Sequence, residues 1–299
     1  MCAQPRRSRP HLPLAGLALA ALGAVACSDA STASSPPDEV LPQAQISADV
    51  AASTGEEVAR DIQALSAAEL AAGLGASASR TADGTSAAAS RSVMRGAATG
   101  CAFDEASGRH VCPTFTLEGL TWERSYALLD AEGQAMAEYS PTLTASINAQ
   151  WTMDGTVSGT RGDATWSATV HHARDYTVSG LAGEETSRTW NGTGSSADTT
   201  VYTAPQRTRS YGMTGTHTTT GVVFALPHAE HPYPRSGTVE RTVSGTATVS
   251  GAQLVTRSVT RTVRVSFDGG ETARLEVVGP ERTLVCTLNL ATGQVSGCA

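Results

Sequence analysis

The chain has 299 residues, with 21 basic side chains (all Arg, no Lys) against 28 acidic ones, for a formal charge of −7. That balance argues against a general nucleic-acid-binding protein, and without lysine a P-loop nucleotide site is excluded. Past residue 26 no apolar run of about 20 residues occurs, so the sequence predicts no transmembrane helix in the remainder.

At the start, Arg6, Arg7 and Arg9 precede a short apolar run, Leu12–Ala26, which is too short for a permanent span. The run ends in Ala24-Val25-Ala26-Cys27. This tetrapeptide resembles the lipobox of bacterial lipoproteins, with Ala24 where the consensus prefers Leu. The resemblance covers the signal region only. It implies a signal peptide over 1–26, diacylglycerol on Cys27 and a membrane anchor in the cell envelope. Ser28, where an Asp would signal retention, implies the outer rather than the inner membrane. The plainer alternative is secretory cleavage after Ala-Val-Ala. Cysteine parity agrees with lipidation. Cys2 leaves with the signal, and Cys101, Cys112, Cys286 and Cys298 form two close pairs, which leaves Cys27 alone. The mature chain keeps 18 basic and 28 acidic side chains, a charge of −10.

Residues 27–54 are rich in Ser, Ala, Pro and Asp and read as a disordered tether. Residues 55–76 predict the one convincing helix. Val58, Ile62, Leu65 and Leu74 recur at roughly helical spacing, Glu56 and Glu57 suit the positive N-terminal dipole, and Gly73 and Gly75 end it. Its expected place is on the sheet, with a helix standing alone on the tether as the alternative. Residues 77–100 have no period and read as a second linker.

Residues 101–299 predict a Thr-rich all-β domain. Cys101 and Cys112 are symmetric about Ala106-Ser107, and Cys286 and Cys298 about Thr292, each with a Gly in the turn. Opposed residues of a hairpin lie within disulfide reach, so two bridges are expected, consistent with an oxidising compartment. Between them the pieces Leu117–Asp130, Gln134–Tyr139, Thr142–Ser158, Ala164–Ser179, Thr186–Thr193, Thr199–Tyr202, Thr208–Gly215 and Thr218–Leu226 read as strands. Ser236–Phe267 then alternates hydroxyl and apolar residues across a turn near Gly251-Ala252-Gln253. Gly-containing breaks and the lack of helical crossovers predict an antiparallel meander of about 10–12 strands, as a curled sheet or half-barrel or as a two-sheet sandwich.

One pattern sits inside these strands. Arg, a small polar residue and a large apolar one recur as Arg124-Ser125-Tyr126, Arg174-Asp175-Tyr176, Arg188-Thr189-Trp190, Arg209-Ser210-Tyr211, Arg241-Thr242-Val243, Arg257-Ser258-Val259, Arg261-Thr262-Val263 and Arg282-Thr283-Leu284. Residues i and i+2 of a strand share a face, so these arginines lie beside core residues. Three explanations compete. Each guanidinium can cover the core margin, stacking on a ring or pairing with an acid. Several can converge on an anion, because like charges across strands repel. Or a bulge can swap the faces. On the second view Arg174, Arg188, Arg209, Arg241, Arg257 and Arg261 face an anionic ligand or lipid headgroup.

No catalytic motif is present, neither G-x-S-x-G nor a singled-out carboxylate pair. His228 and His231 lie in a Pro-rich loop, His171 and His172 point to opposite faces, and His217 stands alone, so no metal and no cofactor are expected. The expected function is a non-enzymatic binding or scaffold domain on a lipid anchor. A carrier of lipid or another apolar or anionic ligand, with the helix as lid, and a hydrolase of unrecognised site are the alternatives.

Overall fold

The computed structural model describes residues 43–71, 100–161, 163–183, 185–205, 207–228, 230–250 and 254–299, the side chains of 66–71 and 161 excepted. The signal peptide, Cys27, most of the expected tether and the linker 77–99 lie outside the described residues. The described residues form one helix, α1 (Gln43–Ala71), and one antiparallel sheet. Its strands are β1 (Ala102–Asp104), β2 (Arg109–Val111), β3 (Phe115–Leu117), β4 (Leu120–Leu129), β5 (Ala135–Met136), β6 (Ser146–Arg161), β7 (Ala164–Ser179), β8 (Ser187–Ala204), β9 (Arg207–Ala225), β10 (Ser236–Ser250), β11 (Leu254–Ser266), β12 (Thr272–Val278), β13 (Thr283–Asn289) and β14 (Val295–Ser296). From β6 to β14 every strand pairs with its sequence neighbours, and β3 and β5 attach to β4. This is the expected meander with one helix. The sheet does not close into a barrel.

Between curled sheet and sandwich, the helix decides. Within one turn of α1, a Cβ on Gly55 would touch Val295 of β14, and Glu57 pairs with Arg174 of β7. Those strands are seven ladder steps apart, about 34 Å on a flat sheet at ~4.8 Å per step. A helix with its side chains is only about 10–12 Å across. The sheet therefore curls around α1. Alternation supplies the two faces: Val239, Arg241, Val243, Ala247 and Val249 point inward from β10, while Thr242, Ser244, Thr246 and Ser250 are exposed.

Two boundary expectations are corrected. The helix begins at Gln43, not at Gly55, so the second half of the supposed tether is helical. The reason is its inward face. Ile46, Val50 and Ala51 are buried there, but so are Ser47, Asp49 and Thr54, and those polar side chains disguise the apolar stripe. The strands are also longer than their glycines suggest. Thr186–Thr193 and Thr199–Tyr202 merge into β8, and Thr208–Gly215 and Thr218–Leu226 into β9. Gly192 and Gly194 do not break β8. They lie opposite Tyr176 and Arg174 in register, and a Cβ on either would fall 2.6 Å from an atom of that side chain. A strand glycine here makes room for a large neighbour. A bulge does occur between Trp190 and Gly192 against β9, where Asn191 Oδ1 accepts from Gly221 N at 2.8 Å. It restores the inward face for Val222 and Phe224.

Both expected disulfides form, Cys101–Cys112 and Cys286–Cys298. The first hairpin has the expected register, with Ala102 opposite Val111. The second is displaced by one. Leu288 faces Val295 and Asn289 N donates to Gln294 O, whereas Val285 and Ala299 exchange both backbone bonds. Gly297, at φ 63°, absorbs the extra residue.

At Gly55 the helix and the sheet approach closely. Its Cβ would lie 2.5 Å from Val295 Cγ2 and 3.1 Å from Gly293 O. Replacing a helical Gly by Ala ordinarily gains about 1 kcal/mol. Here Gly55→Ala gives no such gain, and Gly55→Leu costs about 1–3 kcal/mol by overpacking, both read from urea unfolding midpoints. Reducing Cys286–Cys298, which closes a loop with a sequence separation of 12, lowers stability by up to about 3 kcal/mol in the same assay.

Candidate functional site

The inward arginines meet the helix. Glu57 lies at the centre and is 3 % exposed. One of its oxygens accepts from Arg174 and the other lies 2.7 Å from Arg241 Nη1. Arg174 Nε reaches Asp61 Oδ2 at 2.9 Å, and its Nη1 donates to the carbonyls of Ala173 and Ser195. Arg241 adds Thr54 Oγ1 at 3.1 Å, Ser196 Oγ at 2.8 Å and Asp198 Oδ2 at 2.9 Å. The other Asp198 oxygen lies 2.7 Å from His172 Nε2. Beyond Asp61, His217 Nε2 is 2.7 Å from the Tyr176 hydroxyl and 2.9 Å from Thr219 Oγ1.

The strand period explains this convergence. His172, Arg174 and Tyr176 alternate on β7, Ser196 and Asp198 on β8, His217 and Thr219 on β9, all facing α1. Glu57 and Asp61 are one helical turn apart and share a face. Burial opposes ionisation of Glu57, but Arg241, His172, Arg174 and His217 outweigh it and hold its carboxyl well below the ordinary range. Burial likewise works against the charge on Arg174, yet Asp61 and Glu57 raise it above its ordinary value. His217 goes the other way. Burial pushes it down to about 4, against the pull of Asp61 and Glu57.

Of the six arginines expected to face an anion, four meet α1. Besides Arg174 and Arg241, Arg209 lies 3.2 Å from Asp49, which also accepts from the Tyr211 hydroxyl. Arg261 donates to Ser47 at 3.0 Å and to Gln43. The anionic groups in front of Arg174, Arg209 and Arg241 are thus side chains of the same chain, and the groups in front of Arg261 are neutral. Arg188 instead pairs with Glu185 at 2.7 Å, and Arg257 is half-buried toward the β10–β11 turn. Arg124 stacks over Phe115 at 4.7 Å, and Arg282 is exposed.

In the sequence His172 and His217 figure only as histidines set aside for a metal, although their parity with Arg174, Tyr176 and Thr219 places them inward. As expected, His171 points away from His172. It pairs with Asp154 on the outer face. Glu57, His172 and Asp198, and again Glu57, Asp61 and His217, bring ligand-type atoms within 4.8 Å of one another. Yet both Glu57 oxygens and one of Asp198 already accept from guanidiniums. A divalent ion would lie beside Arg241, so the cluster is built as an ion-pair network.

Two cavities of ≈30 Å³ flank α1, one beside Asp49, Tyr202 and Tyr211, the other beside Glu57, His172 and Asp198. Each has room for a water or two, not for a lipid chain. The outer face carries an open trough of ≈650 Å³ between Glu123, Gln150, Thr152, Asp175, Thr193 and Ser195. No protein-family model, no curated protein and no solved structure matches this chain.

Removing one partner from a buried pair strands the other, at about 3–5 kcal/mol. Glu57→Ala, which takes one acid from both Arg174 and Arg241 but leaves them Asp61 and Asp198, is expected to cost up to about that in urea unfolding. The exposed pair Arg264–Glu240, at 2.6 Å, is the control. Arg264→Gln is expected to cost about 1 kcal/mol or less.

Proposed function

We propose that this protein is an exported bacterial lipoprotein, held to the outer membrane by diacylglycerol on Cys27, whose β-domain binds or scaffolds a partner without catalysing a reaction. The signal sequence and lipobox-like tetrapeptide carry the anchoring half. The two disulfides agree with an oxidising compartment.

The binding half rests on one observation: α1 occupies the inner face, and among the described residues the cavities beside it are of ≈30 Å³. An acyl chain has no place there while the helix is docked, and the same closure keeps substrate from Glu57 and His217. This weighs against both the carrier and the hydrolase. The accessible surface is the outer one, where Ser and Thr dominate from β6 to β11 and the trough offers carboxylates, an amide and hydroxyls. Such a surface suits a polar, hydrogen-bonding partner.

Intact-mass spectrometry of gently extracted protein tests both halves. The expected spectrum shows a diacylated Cys27 at the mature N-terminus and no co-purifying lipid, and Cys27→Ala moves the protein from the membrane to the soluble fraction. An unmodified Cys27 at that terminus rejects the anchor. A stoichiometric bound lipid rejects the scaffold reading in favour of the carrier.

A further inference from the structure

β11 is paired along its whole length on one side and along only part of it on the other. β10 runs beside all of Leu254–Ser266, whereas β12 reaches only Thr262–Ser266. Gly279 comes next, where a Cβ would lie 3.3 Å from Arg261 Nε. The run with no strand alongside among the described residues is therefore Leu254–Thr260. One bond fixes its parity. Phe267 N donates to Gly237 O, one step beyond the pair of Thr238 and Ser266. The odd-numbered residues of β11 thus bond to β10, and Leu254, Thr256, Ser258 and Thr260 aim their N–H and C=O groups at the open side. The Thr260 carbonyl accepts from Arg261 Nη1 at 2.8 Å. Among the described residues, the N–H and C=O groups of Thr256 and Ser258 have no partner there.

Exposed edges are commonly blunted by a proline, a bulge or outward charges. Leu254–Thr260 has no proline, no register shift and no outward charge. Its single charge is Arg257, which points to the inner face. That side chain is partly buried, and among the described residues no acid and no hydrogen-bond acceptor meets it. Arg261, further along the same face, is held by Ser47 and Gln43 of α1 and has Glu281 near it. The outer face of the edge is apolar at both ends. Leu254 is 72 % exposed, and Val278, which pairs with Thr262 where the open run stops, is 47 % exposed. β6 also has an open run, residues 157–161 beyond its ladder with β4. It is shorter, and none of the exposed large apolar side chains described belongs to it.

Arg257 decides what can lie on this edge. A second copy would add its own β11 antiparallel to the first. Every such register that pairs five or more residues of Leu254–Thr260 sets the two Arg257 guanidiniums directly or diagonally opposite, where like charges repel. A strand with a carboxylate at that place removes the repulsion and gives Arg257 the partner it lacks. We propose that the open edge of β11 receives an extended acidic segment of a partner protein as an added antiparallel strand, bonded through the main chain to Leu254–Thr260 and through a carboxylate to Arg257. The segment presents apolar side chains beside Val255 and Val259 and hydroxyl or β-branched ones beside Thr256, Ser258 and Thr260. This rests on the binding reading above and narrows it to one surface and one class of partner. The two fail separately: a co-purifying lipid rejects the former, and the peptide below decides the latter.

The test is fluorescence anisotropy of the labelled peptide Thr-Val-Thr-Glu-Thr-Val-Thr, titrated with the detergent-solubilised mature protein. The expected result is saturable one-to-one binding, with slowed amide exchange over residues 254–260. Arg257→Gln weakens it about two- to fivefold, and a peptide with Lys for Glu binds more weakly than the Glu peptide. Ser258→Pro removes an N–H that faces the open side and no bond to β10, and it weakens binding at least about tenfold. Should that variant not fold, the wild type decides with the peptide N-methylated at its two inner threonines, which loses affinity to the same degree. The idea is overturned if the peptide does not bind at about millimolar concentration, if the Glu and Lys peptides bind equally, or if neither Ser258→Pro nor N-methylation weakens binding. Sedimentation of the protein alone is expected to show a monomer. A dimer that Ser258→Pro dissolves gives the edge to a second copy and overturns the acidic partner.

Discussion

Two carboxylates, Glu57 and Asp61, and two guanidiniums, Arg174 and Arg241, are dry in this protein only because they are dry together. Each would cost several kcal/mol to bury alone. Arg174 and Arg241 on the bare inner face would therefore remain hydrated, and so would Glu57 and Asp61 on a free helix. Docking satisfies all of them at once, or strands them if it is incomplete. Net stability is not what such a network supplies best, since apolar side chains of similar volume serve as well or better. What it does impose is position. A one-residue slip of α1 would take Glu57 away from both guanidiniums, whereas a leucine could find other contacts. Gly194 and Gly215 fit this requirement. They hold the backbone low beneath Arg174 and beside Ser196.

The same contact explains why the sheet curls without closing. An amphipathic sheet must cover its apolar face. A second sheet or full closure would do so, but here a single 29-residue helix does. The curl brings β7 and β14 to opposite sides of one helical turn. The strand order ends in β1 and β14, of 3 and 2 residues, each next to a disulfide-linked hairpin, while β12 pairs only with Thr262–Ser266 of β11 and leaves Leu254–Arg261 as an open edge. The short terminal strands offer little backbone for pairing with another chain, and the longest backbone open to such pairing among the described residues is that of β11.

The all-β class, the antiparallel order, both disulfides and the inward arginines were legible because each rests on a local period: two residues per strand repeat, or symmetry about a turn. The helix start was not, because Ser47, Asp49 and Thr54 are polar at buried positions and a hydropathy pattern counts them as outward. Strand continuity through Gly192, Gly194 and Gly215 was hidden for a related reason. A glycine that breaks a strand and one that makes room for a cross-strand neighbour look alike until the neighbour is known. The anion before Arg174 and Arg241 was the hardest to see. Its partners lie more than 100 positions away in sequence, and no local rule connects them.

A polar helix face also has a consequence for a protein held close to a bilayer. On the proposed anchoring, Cys27 precedes Gln43 by sixteen residues, at most about 55 Å when fully extended. An undocked helix with an unbroken apolar stripe would partition into the membrane interface at that distance. Asp49, Glu57 and Asp61 interrupt the stripe of α1, and no described helix is long and apolar enough to cross a membrane. The acids that fix α1 on the sheet thus also penalise its most obvious competing site.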